Sequence, residues 1–282
     1  MWIGLFLVAA GGVIVVASSM AYERGVTADM RALEESTRTA QSPPLMPTET
    51  PPVVERYLML SGADGVPIRS ARMQHGGAIR TAPGGSWSPV HGTQLFVADS
   101  PGFVWWGRMK LAPGVWVDAR DELVSGTASM NVTAESVFPL ADVATPELDQ
   151  GAALRVLGEM VLFPTSFRDA RYVRWEAIDA TKARGFLRLG DREVSAVFEF
   201  GTDGFPQRIR AQRYRDVGGK GVLTPWFATM SDYRDVDGVR IPFQLEATWE
   251  LEDGPFPCIR FSVEKIQFER GGAARTKLGP GA

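Results

Sequence analysis

The chain has 282 residues, enough for one large domain or two small ones, with 30 basic and 33 acidic side chains and a formal net charge of −3. That balance gives no electrostatic case for nucleic acid, and the single cysteine, Cys258, excludes an intrachain disulfide. Two histidines, His75 and His91, leave little room for histidine-based metal or triad chemistry.

The chain opens on MWIGLFLVAAGGVIVVASSMAY, Met1 to Tyr22. This stretch carries no charged side chain over roughly 20 residues, the length that spans a bilayer core as a helix. It predicts a transmembrane helix or signal anchor over residues 1–22, giving a single-pass membrane protein. The competing reading is a cleaved signal peptide, with small residues around Ser19-Met20-Ala21. Arg24, Arg31 and Arg38 follow, mixed with Glu23, Asp29, Glu34 and Glu35, and by the positive-inside rule they lean towards a cytoplasmic folded domain. Residues 23–50 read as a short polar helix, Thr27 to Ala40, and a proline-rich spacer. The five prolines of QSPPLMPTETPP (Gln41–Pro52) make that spacer extended, about 3 Å per residue and ~35 Å in all.

Thr50 before Pro51-Pro52 is a good N-cap, and it predicts a short amphipathic helix from Pro51 to Leu60. Beyond it the chain is mostly strand: IRSARMQ, GAIRT, TQLFVA, FVWWGRMK, GVWVDARD and GTASMNVT, with turns at Gly76-Gly77, Pro83-Gly84-Gly85, Pro101-Gly102 and Pro113-Gly114. One helix interrupts, Pro146 to Leu162, with Leu148, Ala152, Leu154, Leu157, Val161 and Leu162 near helical spacing. Strands then resume, joined by the hairpin dipeptides Asp203-Gly204, Asp237-Gly238 and Asp253-Gly254. Such turns between consecutive strands make an antiparallel meander. Residues 270–282 read as a disordered tail.

The strand from Val239 to Glu250 sets the register. Val239, Ile241, Phe243, Leu245, Ala247 and Trp249 share one face, and a one-residue slip would bury Arg240, Gln244 and Glu246 instead, at a loss of roughly 10 kcal/mol. In CIRFSVEKIQF the phase breaks at Glu264-Lys265, which predicts a β-bulge. About eleven strands are too many to lie flat, so the sheet must curl. Two helices cannot cover so much apolar sheet. The expected fold is mainly β (α+β): a large curved antiparallel sheet over residues 51–269, either closed into a filled barrel or left as a half-barrel around an apolar cavity. Pro225 and Pro242 cannot donate to a ladder and favour edge or bulge positions, which tips the balance to the half-barrel.

Catalytic constellations are missing. The chain has no G-x-S-x-G elbow, no H-E-x-x-H, no GxxxxGK and no GxGxxG, and DYRDVDGVRIPFQ fails as a calcium loop at Tyr233 and Gln244. Trp175-Glu176, Arg213, Arg215, Asp232 and Asp235 read as outward charges or structural ion pairs, and His75 and His91 as surface residues beside glycine turns. The aromatics in predicted strands are either plain core or the lining of a lipid pocket. Absent catalysts fit binding better than catalysis, with no cofactor and no metal. The candidate lining is Phe103, Trp105, Leu154, Leu157, Trp175, Phe198, Phe200, Trp226, Phe243 and Trp249.

PPVVERYL, GFVWWGRMKLAPGVWVDARDELVSGTASM and the run from RYRDVGGKG to EKIQFE resemble a bacterial family known only as a domain of unknown function, over roughly Pro51 to Glu269. Glu55-Arg56-Tyr57, Phe103-Val104-Trp105, Thr224-Pro225-Trp226 and Asp237-Gly238-Val239-Arg240-Ile241-Pro242 carry most of that likeness. More distantly, DYRDVDGVRIPFQLEATW with IRFSVEKIQF resembles lipoprotein carriers of the LolA type. That resemblance implies a half-barrel with helices as a lid over an acyl-chain cavity, working outside the inner membrane, against the cytoplasmic lean of the charges. For those carriers' lid-locking arginine, Arg56 and Arg155 are candidates by helix position only. The expected function is a membrane-tethered, extracytoplasmic protein that binds a lipid or other long apolar ligand as carrier or sensor. The alternatives are an interaction or regulatory module with a filled core, and an uncharacterised hydrolase.

Overall fold

The computed structural model describes residues 2–38 and 49–271, with side chains for 15–37 and 49–271. Thirteen strands, two more than expected, form one antiparallel sheet: β1 (Ile68–Ile79), β2 (Ser88–Val97), β3 (Gly102–Ala112), β4 (Val115–Val124), β5 (Thr127–Ala134), β6 (Phe138–Val143), β7 (Val173–Ala177), β8 (Lys182–Leu189), β9 (Arg192–Phe200), β10 (Pro206–Val217), β11 (Lys220–Val236), β12 (Val239–Leu251) and β13 (Gly254–Arg270). Their spatial order runs β6-β5-β4-β3-β2-β1-β13-β12-β11-β10-β9-β8-β7. Each strand thus pairs with its chain neighbour, except where β1 joins β13 and where a helical crossover separates β6 from β7 at the two edges. The sheet curls into a half-barrel.

Helices fill the concave side. α2 (Pro52–Leu60) contributes Val54, Tyr57 and Leu58, all buried. α3 (Pro146–Glu159) runs on into 3-10 turns at Met160–Leu162 and Pro164–Arg168, whose Met160, Val161, Leu162 and Phe167 are fully enclosed. Thr145 caps α3 by accepting from the Leu148 N–H at 3.2 Å. At α2 the expected cap is not made. Pro51 holds that position, and the Thr50 hydroxyl donates to Glu55 instead.

Residues 2–38 form one helix, α1 (Trp2–Arg38), rather than a membrane span followed by a separate polar helix. Its second half lies on the convex face, where Tyr22, Val26, Met30 and Leu33 cover Leu95, Val97, Val104 and Trp106. Glu23, Asp29 and Glu34 pair there with Arg108, Arg120 and Arg72. The acidic residues between the arginines therefore serve this docking. Among the described residues no helix is long and apolar enough to cross a membrane, so the expected single-pass anchor is not found there; the side chains of 1–14 lie outside them. The expected spacer falls largely on 39–48, outside the described residues, as does the expected tail, 270–282, from 272 on; Arg270 instead ends β13 and donates to the carbonyls of Val66 and Asp237 at 3.0 and 2.9 Å.

The register follows the apolar pattern where that pattern is strong. Val239, Ile241 and Leu245 of β12 are buried in the core, and the bulge lies at Glu264, where Gln74 faces Lys265 and His75 faces Val263. Gly76-Gly77 is not a turn. β1 continues through it, and a Cβ on Gly77 would collide with the Arg260 carbonyl, so the glycine permits close strand approach. Pro225 and Pro242 lie in interior strands, yet each falls where a neighbouring ladder has ended. β11 first meets β12 at Trp226, and β12 first meets β13 at Gln244.

Candidate functional site

β9 and β10 start as neighbours and then part. They pair from Phe200↔Pro206 to Val197↔Arg210 and no further. Beyond that point β10 and β11 continue as a two-stranded ribbon, Ala211–Pro225, which has outrun both β9 and β12. A cleft of about 640 Å³ opens in the gap. Leu154, Val194, Ala196, Ala211 and Trp226 form its apolar floor on the concave side, and Arg184, Glu193, Ser195, Arg210 and Glu250 rim it outside. Arg210 is held by Glu199 at 3.1 Å and Glu250 at 2.8 Å. Gln150 of α3 substitutes for the missing strand. Its amide donates to the Gln212 carbonyl at 2.8 Å and accepts from the Tyr214 N–H at 3.4 Å. The arrangement can take an amphiphile, chain inward and polar group at the rim.

A charged knot lies under the other flank of α3. Arg155 donates to Asp121 of β4 at 2.6 Å, to Glu159 at 3.1 Å and to Gln94 of β2 at 2.8 Å; Gln94 in turn donates to Glu159 at 2.9 Å. The guanidinium also lies 4.5 Å from the Phe103 ring centre, a cation–π contact. Burial pushes the Asp121 carboxyl up, against the pull of Arg155. Next to this knot, and contrary to the surface reading, His75 is buried. Its Nε2 accepts the Trp105 indole N–H at 2.8 Å, a bond that needs a neutral imidazole, and burial with Arg155 nearby lowers its pKa to about 4. Gly92 makes the room, since a Cβ there would collide with the His75 ring. His91 is exposed, as expected.

The sequence-predicted lining residues separate into two groups. Phe103, Trp105, Leu157, Trp175, Phe198 and Phe200 are packed in the main core. Leu154 belongs to that core and also reaches the cleft, where Trp226 joins it; Phe243 and Trp249 are half-buried on β12. Arg213, expected to point outwards, turns inwards against Gly151 and Trp226. Sequence reading missed Gln150, Gln94 and Asp121. The available signal was polarity out of place: a glutamine in the apolar run TQLFV, and Arg155 and Glu159 one helical turn apart in the apolar stretch AALRVLGEMVLF. Among the described residues no cluster of His, Cys, Asp and Glu could hold a metal ion.

Solved structures resemble this fold loosely. A DUF1329 family protein from Desulfovibrio piger matches at 11% identity with a TM-score of 0.43, over 78% of this chain and 93% of its own. A LolA superfamily protein from Nitrosomonas europaea matches at 12% and 0.41, over 77% and 92%. A domain from Vibrio parahaemolyticus, described provisionally as an outer membrane lipoprotein-sorting protein, matches at 10% and 0.40, over 78% and 94%. Likeness at this level carries neither ligand nor activity across. No curated protein matches the sequence. Residues 43–261, well over half of the chain, match the model of DUF6544, a family of unknown function, and the chain belongs to that family.

Proposed function

We propose that the protein binds a lipid or other long apolar ligand as a carrier or sensor, in the β9–β10 cleft of the half-barrel, since the helices fill the rest of the concave side. The observation that carries this reading is the cleft's division into an apolar floor and a charged rim. An acyl chain would lie against Leu154, Val194, Ala196 and Trp226, and its polar group would stay at the rim. α3 would act as the lid, because it forms part of the cleft floor and its other flank is held by polar contacts that can exchange with water. Tethering through the uncharged run Met1–Tyr22, with the domain outside the inner membrane, belongs to the same proposal.

Native mass spectrometry of the whole chain tests it. Lipid should co-purify, and stripped protein should retain added phospholipid or fatty acid. Protein that holds neither sinks the reading. A second reading, an interaction module, has its own support in the filled concavity and in Phe138 and Leu140, which are 62% and 59% exposed on the edge strand β6. For that reading the mark is a Phe138→Ser change that abolishes capture of a partner protein and leaves lipid retention untouched.

A further inference from the structure

Arg213 is a cation without an acceptor. Of the arginines around α3, Arg155 is fully engaged by Asp121, Glu159 and Gln94. Arg192 pairs with Asp149 at 2.8 Å, and Arg210 with Glu199 and Glu250. Arg213 forms no hydrogen bond or ion pair among the described residues. Its contacts are the face of Trp226, 5.4 Å from the ring centre, and the bare backbone of Gly151, where a Cβ would lie 3.1 Å from its Nε. Burial holds its pKa below the usual arginine value, with Asp121 pulling back from a distance. Arg213 is half-buried, and a guanidinium even partly withdrawn from water gains from an acceptor.

The position of this group matters more than its energy. Gln150 and Leu154, which flank Gly151 on α3, line the cleft. So do Ala211 on Arg213's own strand and Trp226, its stacking partner. Arg213 does not itself line the cleft but adjoins the residues that do, through Gly151, its chain neighbours Gln212 and Tyr214, and Trp226, with its donors unfilled. Of the acids nearest to it, Glu159 is bound by Arg155 and Gln94 and Asp121 is bound by Arg155 through Oδ2 alone; Asp121 Oδ1 has no partner but forms no bond to Arg213. A carboxylate matches a guanidinium fork with two parallel bonds, which a hydroxyl cannot do.

Resting on the ligand reading above, we infer that Arg213 makes the cleft selective for amphiphiles with an anionic head, a long-chain carboxylate above all. In this pose, which replaces the head-at-the-rim pose above, the chain lies along Leu154, Val194 and Trp226 and the carboxylate is held by Arg213. Glycine at 151 lets the guanidinium lie against the helix backbone, since a Cβ there would make it shift by a few tenths of an ångström.

The test uses the full chain, stripped of lipid and equilibrated with equal amounts of dodecanoate and dodecanol, which share a chain and differ in the head. Native mass spectrometry reads the ratio of the two adducts. Wild type should favour dodecanoate at least about tenfold, ~1.4 kcal/mol. Arg213→Gln should bring the ratio near one, and Arg213→Lys should fall between. The melting temperature of Arg213→Gln should equal or exceed wild type, because no partner is left stranded. Equal retention of both ligands by wild type overturns the inference and leaves the ligand reading standing, as does an unchanged preference in Arg213→Gln. A fall of several degrees in melting temperature would show a structural partner and also overturn it. Retention of neither ligand defeats both readings.

Discussion

α3 is held by two flanks of opposite chemistry. Towards β7–β9, Leu154 and Leu157 and the turns that follow enter an aromatic cluster: Phe167 meets Trp175 at 5.3 Å and Phe198 at 5.6 Å, edge-on. Towards β2–β4 the helix is tied by Arg155 and Glu159 to Asp121 and Gln94. The apolar flank is strong and unspecific in geometry, and opening it exposes a large oily area to water. The polar flank costs desolvation to form, but water can take over its hydrogen bonds when it opens. A lid hinged on grease and latched by ions would open on the latched side. On the proposed ligand reading, the split between β9 and β10 would admit a chain on the greasy side without breaking that cluster.

Breaking the apolar flank should have the largest effect. Phe198 is fully buried, and Phe198→Ala removes ring contacts to both Phe167 and Trp175. A loss of about 3–5 kcal/mol in urea unfolding is expected. A loss under about 1 kcal/mol would mean that this flank is loosely packed and that the comparison is wrong. Arg155→Met comes next. It strands Asp121 and Glu159, and because the three side chains are 18%, 15% and 11% exposed, the loss should be about 2–3 kcal/mol, below the full cost of breaking a buried pair. Hydrogen exchange should quicken along α3 and stay slow at β8–β9. Uniform quickening would erase the distinction between the flanks.

The two flanks also differ in how legible they were. The meander, the bulge at Glu264 and the helix at Pro146 follow from period-two runs, Asp-Gly turns and one stretch of helical spacing. The greasy residues of α3 announced themselves in the same way. The latch did not, because Gln94, Asp121 and Arg155 lie far apart in sequence and each alone reads as a solvated charge or a stray amide. His75 reads as surface because Gly76-Gly77 reads as a turn, whereas those glycines let β1 pass through close to β13 and carry the imidazole inside. The cleft is a failure of pairing: β9 and β10 both continue past Val197↔Arg210 but diverge, with no local signal in either strand. α1 misled for another reason. Its amphipathic second half, Tyr22 to Leu33, is too charged to extend an apolar span, and its apolar stripe had a sheet face waiting for it.

The smallest effect concerns pH, and it sharpens the polar flank. His75 borders the latch and accepts from Trp105 only while neutral. Its pKa lies near 4 in the folded chain, against an ordinary 6.5, chiefly through burial and then through Arg155. Below 6.5 the unfolded chain takes up a proton that the folded chain refuses, so stability falls as pH drops towards 4 and is flat, for this group, above 6.5. Between about pH 7 and pH 5 the loss should be roughly 1–2 kcal/mol. Other carboxylates titrate lower in the same range, so the informative quantity is the difference from His75→Gln, whose amide oxygen can still accept the indole N–H. That variant should lose the slope assigned to His75 and keep its stability at pH 5 relative to pH 7. Parallel curves for the two proteins would place the imidazole in contact with water, and the polar flank would then be open rather than latched.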